Sequence, residues 1–112
     1  MIRYPAVAGS FYSPDKTQLR SDIEDFVNKD VEKYAVLGIV SPHAGYIYSG
    51  RVAGNLYSKI EIPDTVIILS PNHTGFGAPY SIWPGGSWRT PLGDVAVDEE
   101  VVPELLHVCN LI

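Results

Sequence analysis

The sequence predicts an α/β fold with a partly parallel sheet, and one repeated pattern carries the prediction. Two short apolar runs rich in valine and isoleucine, residues 36–41 and 65–70, each end in Ser-Pro, and a stretch with helical periodicity near residues 50–60 lies between them. Runs of this length and composition are typical of strands covered on both faces. A strand, a helix and a second strand in succession form a βαβ unit, whose strands are parallel and whose crossover is nearly always right-handed.

A histidine follows each of the two predicted strands. Pro42 disfavours the helical region for the residue before it, so the chain should leave the sheet extended and place His43 just past the carboxyl end of the strand. The same pattern recurs in Pro71, Asn72 and His73. Because neighbouring strands lie about 4.8 Å apart, both imidazoles can reach one point if the strands are adjacent and parallel. The alternative is that each histidine is an ordinary loop residue with local hydrogen bonds.

Two amphipathic helices are predicted in the first half of the chain. Ser13 is a good helix cap and Pro14 suits the first helical position, so the first helix is expected over about 14–29. Ser49 can cap the helix of the βαβ unit, which should run to about Lys59. Both helices are expected to serve packing.

The last third of the chain predicts a hairpin followed by a helix. Two short alternating segments, 80–83 and 94–97, are separated by turn residues, and antiparallel pairing is the natural expectation for them. Asp98 is placed to cap the last helix. Because Pro103 lies too deep for a first-turn proline in a helix capped at Asp98, that helix should either be kinked or begin near Val102.

Composition restricts the function classes. The chain has 112 residues, 46% hydrophobic and 19% charged, which is typical of one globular domain. Eight basic and thirteen acidic residues give a net charge of -5 with no basic cluster, so nucleic acid is excluded as an expected partner. No apolar run approaches the roughly 20 residues that span a membrane. A single cysteine and the lack of a secretion-signal pattern predict a cytoplasmic location.

Four separated motifs occur in order along the chain. They are Ala8-Gly9-Ser10-Phe11-Tyr12, Ser41-Pro42-His43-Ala44-Gly45-Tyr46, Ser70-Pro71-Asn72-His73 and Arg89-Thr90-Pro91-Leu92-Gly93-Asp94. Together they resemble those of the Memo-like family, which is related to the catalytic subunits of class III extradiol dioxygenases. The resemblance implies a three-layer α/β fold of the class III extradiol dioxygenase (LigB-like) type, with a central, partly parallel sheet flanked by helices. It implies further that residues 1–112 are the amino-terminal part of a single longer domain.

The carboxyl-terminal segment agrees with the expectation of an incomplete unit. It forms an apolar helix with nothing after it in the sequence to cover it, so it should associate with other polypeptide or with a second copy. Its apolar residues are Val101, Val102, Leu105, Leu106, Cys109, Leu111 and Ile112.

Imidazole is the commonest protein metal ligand, and two imidazoles with a carboxylate or thiolate make the usual open site for a redox-active ion. The resemblance places His43 and His73 at two positions of a histidine-histidine-cysteine set that would hold iron(II) or copper. The third ligand has no counterpart in this sequence. Cys109 is not assigned as that ligand, because its helix does not correspond to the distal region in which the family has its cysteine. The expected function is a metal-dependent, dioxygenase-like oxidoreductase. The alternative is a non-catalytic module that binds a peptide or protein in the same cleft.

Three further residues are candidates for binding a small-molecule or peptide ligand. Tyr46 and Asn72 flank the two histidines and can orient a ligand by hydrogen bonding. Arg89 can hold an anionic group through its planar guanidinium, although pairing with Asp94 or Glu99 at the surface is the favoured explanation for it. A hydrolase is the least favoured class, because the chain has no nucleophile motif such as G-x-S-x-G.

Overall fold

Three helices and three short strands make up the computed structural model, which describes residues 1–112. The strands form one mixed sheet in the order β1-β2-β3, in which β1 is parallel to β2 and β2 is antiparallel to β3. The α/β class is therefore confirmed in the form of a small mixed sheet with helices. In chain order the elements are β1 (Ile2–Arg3), α1 (Lys16–Phe26), α2 (Tyr46–Ser58), β2 (Ser87–Thr90), β3 (Gly93–Ala96) and α3 (Val101–Val108).

Helix α1 is shorter than predicted, and its cap is a different residue. The carboxylate of Asp15 accepts a hydrogen bond from the Gln18 N–H at 2.9 Å. The Ser13 hydroxyl accepts only from the Asp15 N–H, at 3.2 Å, so the prediction of Ser13 as the cap is wrong. A carboxylate makes a stronger hydrogen bond than a hydroxyl to an unpaired N–H of the first helical turn. Because Asp15 is the cap, Pro14 lies before the helix and is not its first residue.

Helix α2 is confirmed, but it begins earlier than predicted because Ser49 lies inside it. The Ser49 hydroxyl donates back to the carbonyl of Ala44 at 2.8 Å instead of accepting from a later N–H. The first helical residue is Tyr46, whose N–H donates to the Phe11 carbonyl at 2.8 Å. This bond ties the start of the helix to the amino-terminal segment.

Helices α1 and α2 pack closely through small residues. Gly50 and Gly54 are both buried and face Phe26 at the end of α1. A methyl group built on Gly54 would lie 2.6 Å from the Phe26 Cβ, so only glycine allows this approach. The Ser58 hydroxyl, one turn later, accepts from the Asn28 N–H at 2.8 Å and fixes the segment that follows α1.

The hairpin forms further along the chain than predicted. Residues 80–83 are not a strand, whereas the second predicted segment, 94–97, corresponds to β3 within one residue. The turn determines this register, because the Thr90 hydroxyl donates to the Gly93 carbonyl at 2.8 Å and accepts from the Leu92 N–H. Thr90 closes a two-residue connection between the strands. The residues that pair with β3 are therefore 87–90 and not 80–83.

Of the two predicted possibilities for α3, a kink or a start near Val102, the structure shows the second within one residue. The N-cap position is Glu100, and just before the helix the Asp98 carboxylate accepts from the N–H groups of Glu100 and Val101, each at 3.1 Å. The helix itself begins at Val101, so Pro103 falls within its first turn, where a missing N–H costs no helical hydrogen bond.

The two parallel strands predicted at 36–41 and 65–70 are not formed. No backbone hydrogen bond involves residues 35–41 or 65–71, and their apolar side chains are exposed rather than covered on both faces. A strand requires a neighbouring backbone as well as suitable side chains, and no other backbone pairs with these residues. The prediction of a hydrogen-bonded βαβ ladder is therefore wrong for this chain.

Few side chains are buried anywhere in the chain. Of 112 residues, seven are buried, and the apolar ones among them are Leu19, Ile60 and Val102. The radius of gyration is 15.4 Å, against about 13 Å for a compact domain of this length. The longest helix has 13 residues, and no helix has both the length and the hydrophobicity to cross a bilayer.

Candidate functional site

The two segments that lead to the histidines run in the same general direction. They start together at a parallel bridge between Tyr34 and Ile60, in which the Tyr34 N–H donates to the Lys59 carbonyl at 2.8 Å. They end together at His43 and His73, whose rings are in contact. The convergence expected from parallel strands is thus present at the histidines, although the ladder between the segments is absent.

The two imidazoles meet through the same ring atom. The Nε2 atoms of His43 and His73 are 3.2 Å apart, the ring centroids are 5.3 Å apart, and the ring planes are inclined by 34°. Both side chains are exposed to solvent. Neutral imidazole has one N–H and one bare nitrogen, so this contact is either a direct hydrogen bond or two lone pairs directed at a common cation.

The spacing of the two nitrogens fits one metal ion. Metal–imidazole bonds are roughly 2.0–2.1 Å long, and two such bonds to atoms 3.2 Å apart enclose an angle of about 100°, between octahedral and tetrahedral values. No group of three or more His, Cys, Asp or Glu side chains lies close enough together to hold an ion, so the two imidazoles stand without a third side chain of these types.

Asn72 holds the loop that carries His73. Its Oδ1 accepts from the N–H groups of Thr74 and Gly75, each at 3.1 Å, and from the Thr74 hydroxyl at 2.9 Å. Its Nδ2 donates to the Phe76 carbonyl at 2.8 Å. Gly75 has a φ of 69°, which glycine adopts without strain. All these bonds are local, so the contacts of Asn72 are those of a residue that orders the His73 loop.

Tyr46 lies on the His43 side, at the amino-terminal end of α2. Its ring is 5.5 Å from that of Tyr12 and 6.5 Å, edge to face, from that of Phe26. Burial raises the pKa of the Tyr46 phenol above its ordinary value, and the nearby Tyr12 and Tyr57 hydroxyls raise it further. The phenol therefore stays protonated at neutral pH and can donate a hydrogen bond to a ligand.

A cleft of about 440 Å³ opens beside His43, between the amino-terminal segment and helices α1 and α2. Its lining is mostly apolar and rich in aromatic rings. The sequence pattern does not predict this cleft, although the motif around Phe11 and Tyr12 forms one of its walls. The lining includes Val7, Phe11, Tyr12, Ile23, Phe26, Val27, His43, Tyr46, Ala53 and Tyr57.

Arg89 lies on the hairpin and is not among the residues that line the cleft. Its guanidinium makes a two-point ion pair with Asp94, with distances of 2.9 and 3.0 Å, and lies over the ring of Tyr4. The hydrogen bond to Asp94 raises the pKa of Arg89, and the same bond lowers the pKa of Asp94. Surface pairing with Asp94, one of the two alternatives for this residue, is thus observed, and a role in binding substrate stays a prediction.

Cys109 follows helix α3 as a half-buried free thiol and belongs to no metal-binding group. His107, the third histidine, is an exposed residue of the same helix. Neither residue adds a ligand to the His43 and His73 pair.

Fold and site together define an α/β chain in which two converging segments present a pair of histidines beside an aromatic cleft. The family model described as Memo-like protein matches residues 3–112. This chain belongs to the Memo-like family, as the four motifs predicted.

The relatives agree with this assignment. A MEMO1 family protein of Sulfolobus acidocaldarius is 45% identical over 100% of this chain and 45% of its own length. Corresponding proteins of Aquifex aeolicus and Thermococcus onnurineus are 45% and 46% identical over 94% and 99% of this chain, and each match covers 40% of the relative. The chain thus spans less than half the length of these curated relatives.

Proposed function

We propose that His43 and His73 are two ligands of a metal centre in a dioxygenase-like oxidoreductase of three-layer LigB-like fold, to which this chain contributes the part described here. The observation that carries the proposal is the 3.2 Å separation of the two Nε2 atoms, which come from loops 30 residues apart in sequence. Two exposed imidazoles brought together in this way match the ligand type and spacing of a shared ion.

Iron(II) and copper are the proposed ions, because imidazole suits both and two imidazoles leave coordination positions open for other groups. When bound, either ion would supply redox chemistry at the site. The third protein ligand would come from polypeptide outside these 112 residues.

Residues of this chain would bind the ligand and orient the histidine rings. The Asn72 loop would hold the His73 ring toward that of His43, and outer contacts of this kind set the orientation of metal ligands. The cleft beside His43 would take an apolar or aromatic part of a ligand, with the protonated Tyr46 phenol as a hydrogen-bond donor. Arg89 would contribute to binding only if an anionic ligand displaced Asp94 from it.

The cleft itself supports the second candidate, a module that binds a peptide or another protein without catalysis. Its volume of about 440 Å³ and its aromatic walls suit one or two apolar side chains of a partner. Metal binding distinguishes the two candidates, because the binding module has no need of an ion between the histidines.

Equilibrium titration of the full chain with copper or with iron(II) tests the metal proposal. His43→Ala and His73→Ala should each weaken binding by at least about tenfold, since each removes one of the two ligands. His107→Ala is the matched control, because it removes an exposed imidazole from α3 without changing the site. Equal metal affinity in all three variants would favour the binding module.

A further inference from the structure

The first of the four sequence motifs folds into a tight turn that is closed by its own backbone. The Val7 carbonyl accepts from the N–H groups of Ser10 and Phe11, at 3.1 and 2.9 Å, and from the Ser10 hydroxyl at 3.1 Å. Residues 7–12, which we call the amino-terminal turn, belong to no helix or strand of the fold. Their hydrogen bonds nevertheless give them a defined shape.

Gly9 allows the backbone of the amino-terminal turn to take this shape. Its N–H donates to the Tyr12 carbonyl at 2.7 Å, and its φ is 89°, a value that residues with a side chain rarely adopt. Space is not the reason for a glycine here, because a Cβ built on it would lie 3.9 Å from the Pro14 Cγ. Alanine at this position would therefore strain the turn without a steric clash.

The amino-terminal turn holds the start of α2, shortly after His43. The Phe11 carbonyl accepts from the Tyr46 N–H at 2.8 Å, and Tyr46 is the first residue of the helix. The first N–H groups of a helix have no partner within it, and Gly45 at the N-cap has no side chain to provide one. The Phe11 carbonyl therefore takes the place of a capping group.

A buried serine of α2 holds the residue between His43 and Gly45. The Ser49 side chain is 7% exposed in the residue as a whole, and its hydroxyl donates to the Ala44 carbonyl at 2.8 Å. The same hydroxyl lies 3.3 Å from the Gly45 carbonyl. The Phe11 carbonyl and the Ser49 hydroxyl thus hold each of the three residues that follow His43.

His43 has no comparable support from the residues before it. No backbone–backbone hydrogen bond involves residues 35–43, and the His43 ring makes its hydrogen-bonding contact with the ring of His73. The loop of His73, in contrast, is ordered by the side chain of Asn72. Order at His43 must therefore come from the residues that follow it.

We propose that the amino-terminal turn and Ser49 position His43, because they hold residues 44–46 and so keep its imidazole within reach of His73. The inference rests on the proposed function in one respect, namely that the positioned ring is a metal ligand. Each histidine then has its own support, which is the Asn72 loop for His73 and the turn with Ser49 for His43. Loss of one support should loosen one ring and leave the other loop ordered.

Amide hydrogen exchange of the metal-free full chain tests this support directly. Gly9→Ala strains the turn and should speed exchange at Tyr46 by at least about fivefold, because this N–H loses its fixed acceptor. Exchange in the Asn72 loop should not change. Gly38→Ala is the matched control, since Gly38 also has open space around it but does not have a positive φ.

Titration with Zn²⁺, an ion that imidazole binds, measures the effect on the site. Ser49→Ala removes the hydroxyl that holds Ala44 and should weaken Zn²⁺ binding by roughly three- to tenfold, because outer contacts set the orientation of metal ligands. Ser58→Ala is the matched control at the opposite end of α2, where an equally buried hydroxyl donates to the Gly54 carbonyl. It should lower the melting temperature and leave Zn²⁺ affinity unchanged.

Two further variants separate positioning from general destabilisation. In His43→Ala no ring remains for the turn to position, so adding Gly9→Ala should leave the residual Zn²⁺ affinity unchanged. Gly9→Asn should retain part of the affinity that Gly9→Ala loses, because asparagine adopts a positive φ more readily than alanine does.

Three results would overturn the proposal. The first is equal exchange at Tyr46 in Gly9→Ala and in its control. The second is an equal change of Zn²⁺ affinity in Ser49→Ala and in its control. The third is a further loss of affinity when Gly9→Ala is added to His43→Ala.

Failure of the proposed function would be a separate result. If the unchanged chain does not bind Zn²⁺ through His43 and His73, the metal site is refuted. Exchange at Tyr46 is measured without metal, so faster exchange in Gly9→Ala than in Gly38→Ala would still support the role of the turn at His43, and equal exchange would still overturn it.

Discussion

Among single side chains, Asn72 makes the hydrogen bonds that order the loop carrying His73. Asn72→Ala removes the acceptor of two N–H groups and one hydroxyl, as well as the donor to Phe76. The net contribution of one such hydrogen bond to the free energy of unfolding is roughly 0.5–1.5 kcal/mol. Amide exchange at Thr74 and Gly75 should therefore become several-fold faster, and metal affinity should fall with it.

Asn72→Asp is the control for this prediction, because it keeps the acceptor oxygen and loses only the bond to the Phe76 carbonyl. It should retain most of the protection at Thr74 and Gly75. Exchange rates that are the same in Asn72→Ala as in the unchanged chain would mean that the loop is ordered by other contacts.

Asp98 makes the stability of the chain depend on pH. The Thr65 hydroxyl donates to its Oδ2 at 2.6 Å, and this bond, with the backbone N–H of Val101, lowers the pKa of Asp98 below its ordinary value of 3.8. The stabilisation is present above pH 3.8 and is lost as the pH falls through the lowered pKa of the folded state. The melting temperature of Asp98→Asn should thus lie below that of the unchanged chain at pH 7, with the difference shrinking in acid.

Thr65→Val removes the hydroxyl donor and is the second variant for this test. Its stability should vary less than that of the unchanged chain as the pH falls below 3.8, because the principal cause of the lowered pKa is gone. A difference between Asp98→Asn and the unchanged chain that is constant with pH would contradict the assignment.

At the level of helix packing, the contact between α1 and α2 depends on Gly54. Gly54→Ala places a methyl group against the backbone and Cβ of Phe26, so the helices must separate. Overpacking of this kind costs about 1–3 kcal/mol, and each kcal/mol lowers the melting temperature by roughly 4–8 °C in a small domain. Asn55→Ala, at an exposed position of the same helix, should leave stability equal or slightly higher. Equal melting temperatures for the two variants would show that Phe26 moves aside without cost.

The helices could be predicted from the sequence because their signals are local. The apolar spacing of α1 and α2 locates both, and the errors are confined to their ends, where Asp15 caps in place of Ser13 and Ser49 bonds backward to Ala44. Capping depends on which of several adjacent polar side chains reaches the free N–H groups, and spacing alone does not decide this.

The strands could not be predicted in the same way, because their partners are distant. Residues 36–41 and 65–70 have the composition of interior strands, but a ladder forms only where another backbone is supplied. In the hairpin the Thr90 turn makes residues 87–90 the partner of β3, in place of the alternating segment 80–83. Local pattern therefore identifies candidate strands, and turns or remote partners select among them.

The candidate site was predictable in part. The proximity of its two histidines could be predicted from the repeated Ser-Pro pattern, because a histidine comes one or two residues after the proline that ends each segment. The cleft was not predictable from spacing, since its walls come from the amino-terminal segment and from both helices. The ion pair of Arg89 with Asp94 depends on the register of the hairpin.

The molecule as a whole is more open than a compact domain of its length, with a radius of gyration of 15.4 Å and seven buried residues. Most of its regular structure lies in the α1–α2 pair and in the three-stranded sheet. The segments that lead to the histidines belong to neither part, and they are held together at the Tyr34–Ile60 bridge and at the histidines themselves. An ion between His43 and His73 would therefore join the loops where no backbone ladder does so.

The shared metal site is tested most directly by nuclear magnetic resonance of the histidine ring nitrogens during titration of the full chain with Zn²⁺, a diamagnetic ion that imidazole ligands bind. If His43 and His73 share one ion, their Nε2 signals shift together and saturate at one ion per chain, while those of His107 on α3 do not change. Independent shifts of the two rings, saturation at two ions per chain, or a response of His107 equal to theirs would contradict a shared metal site.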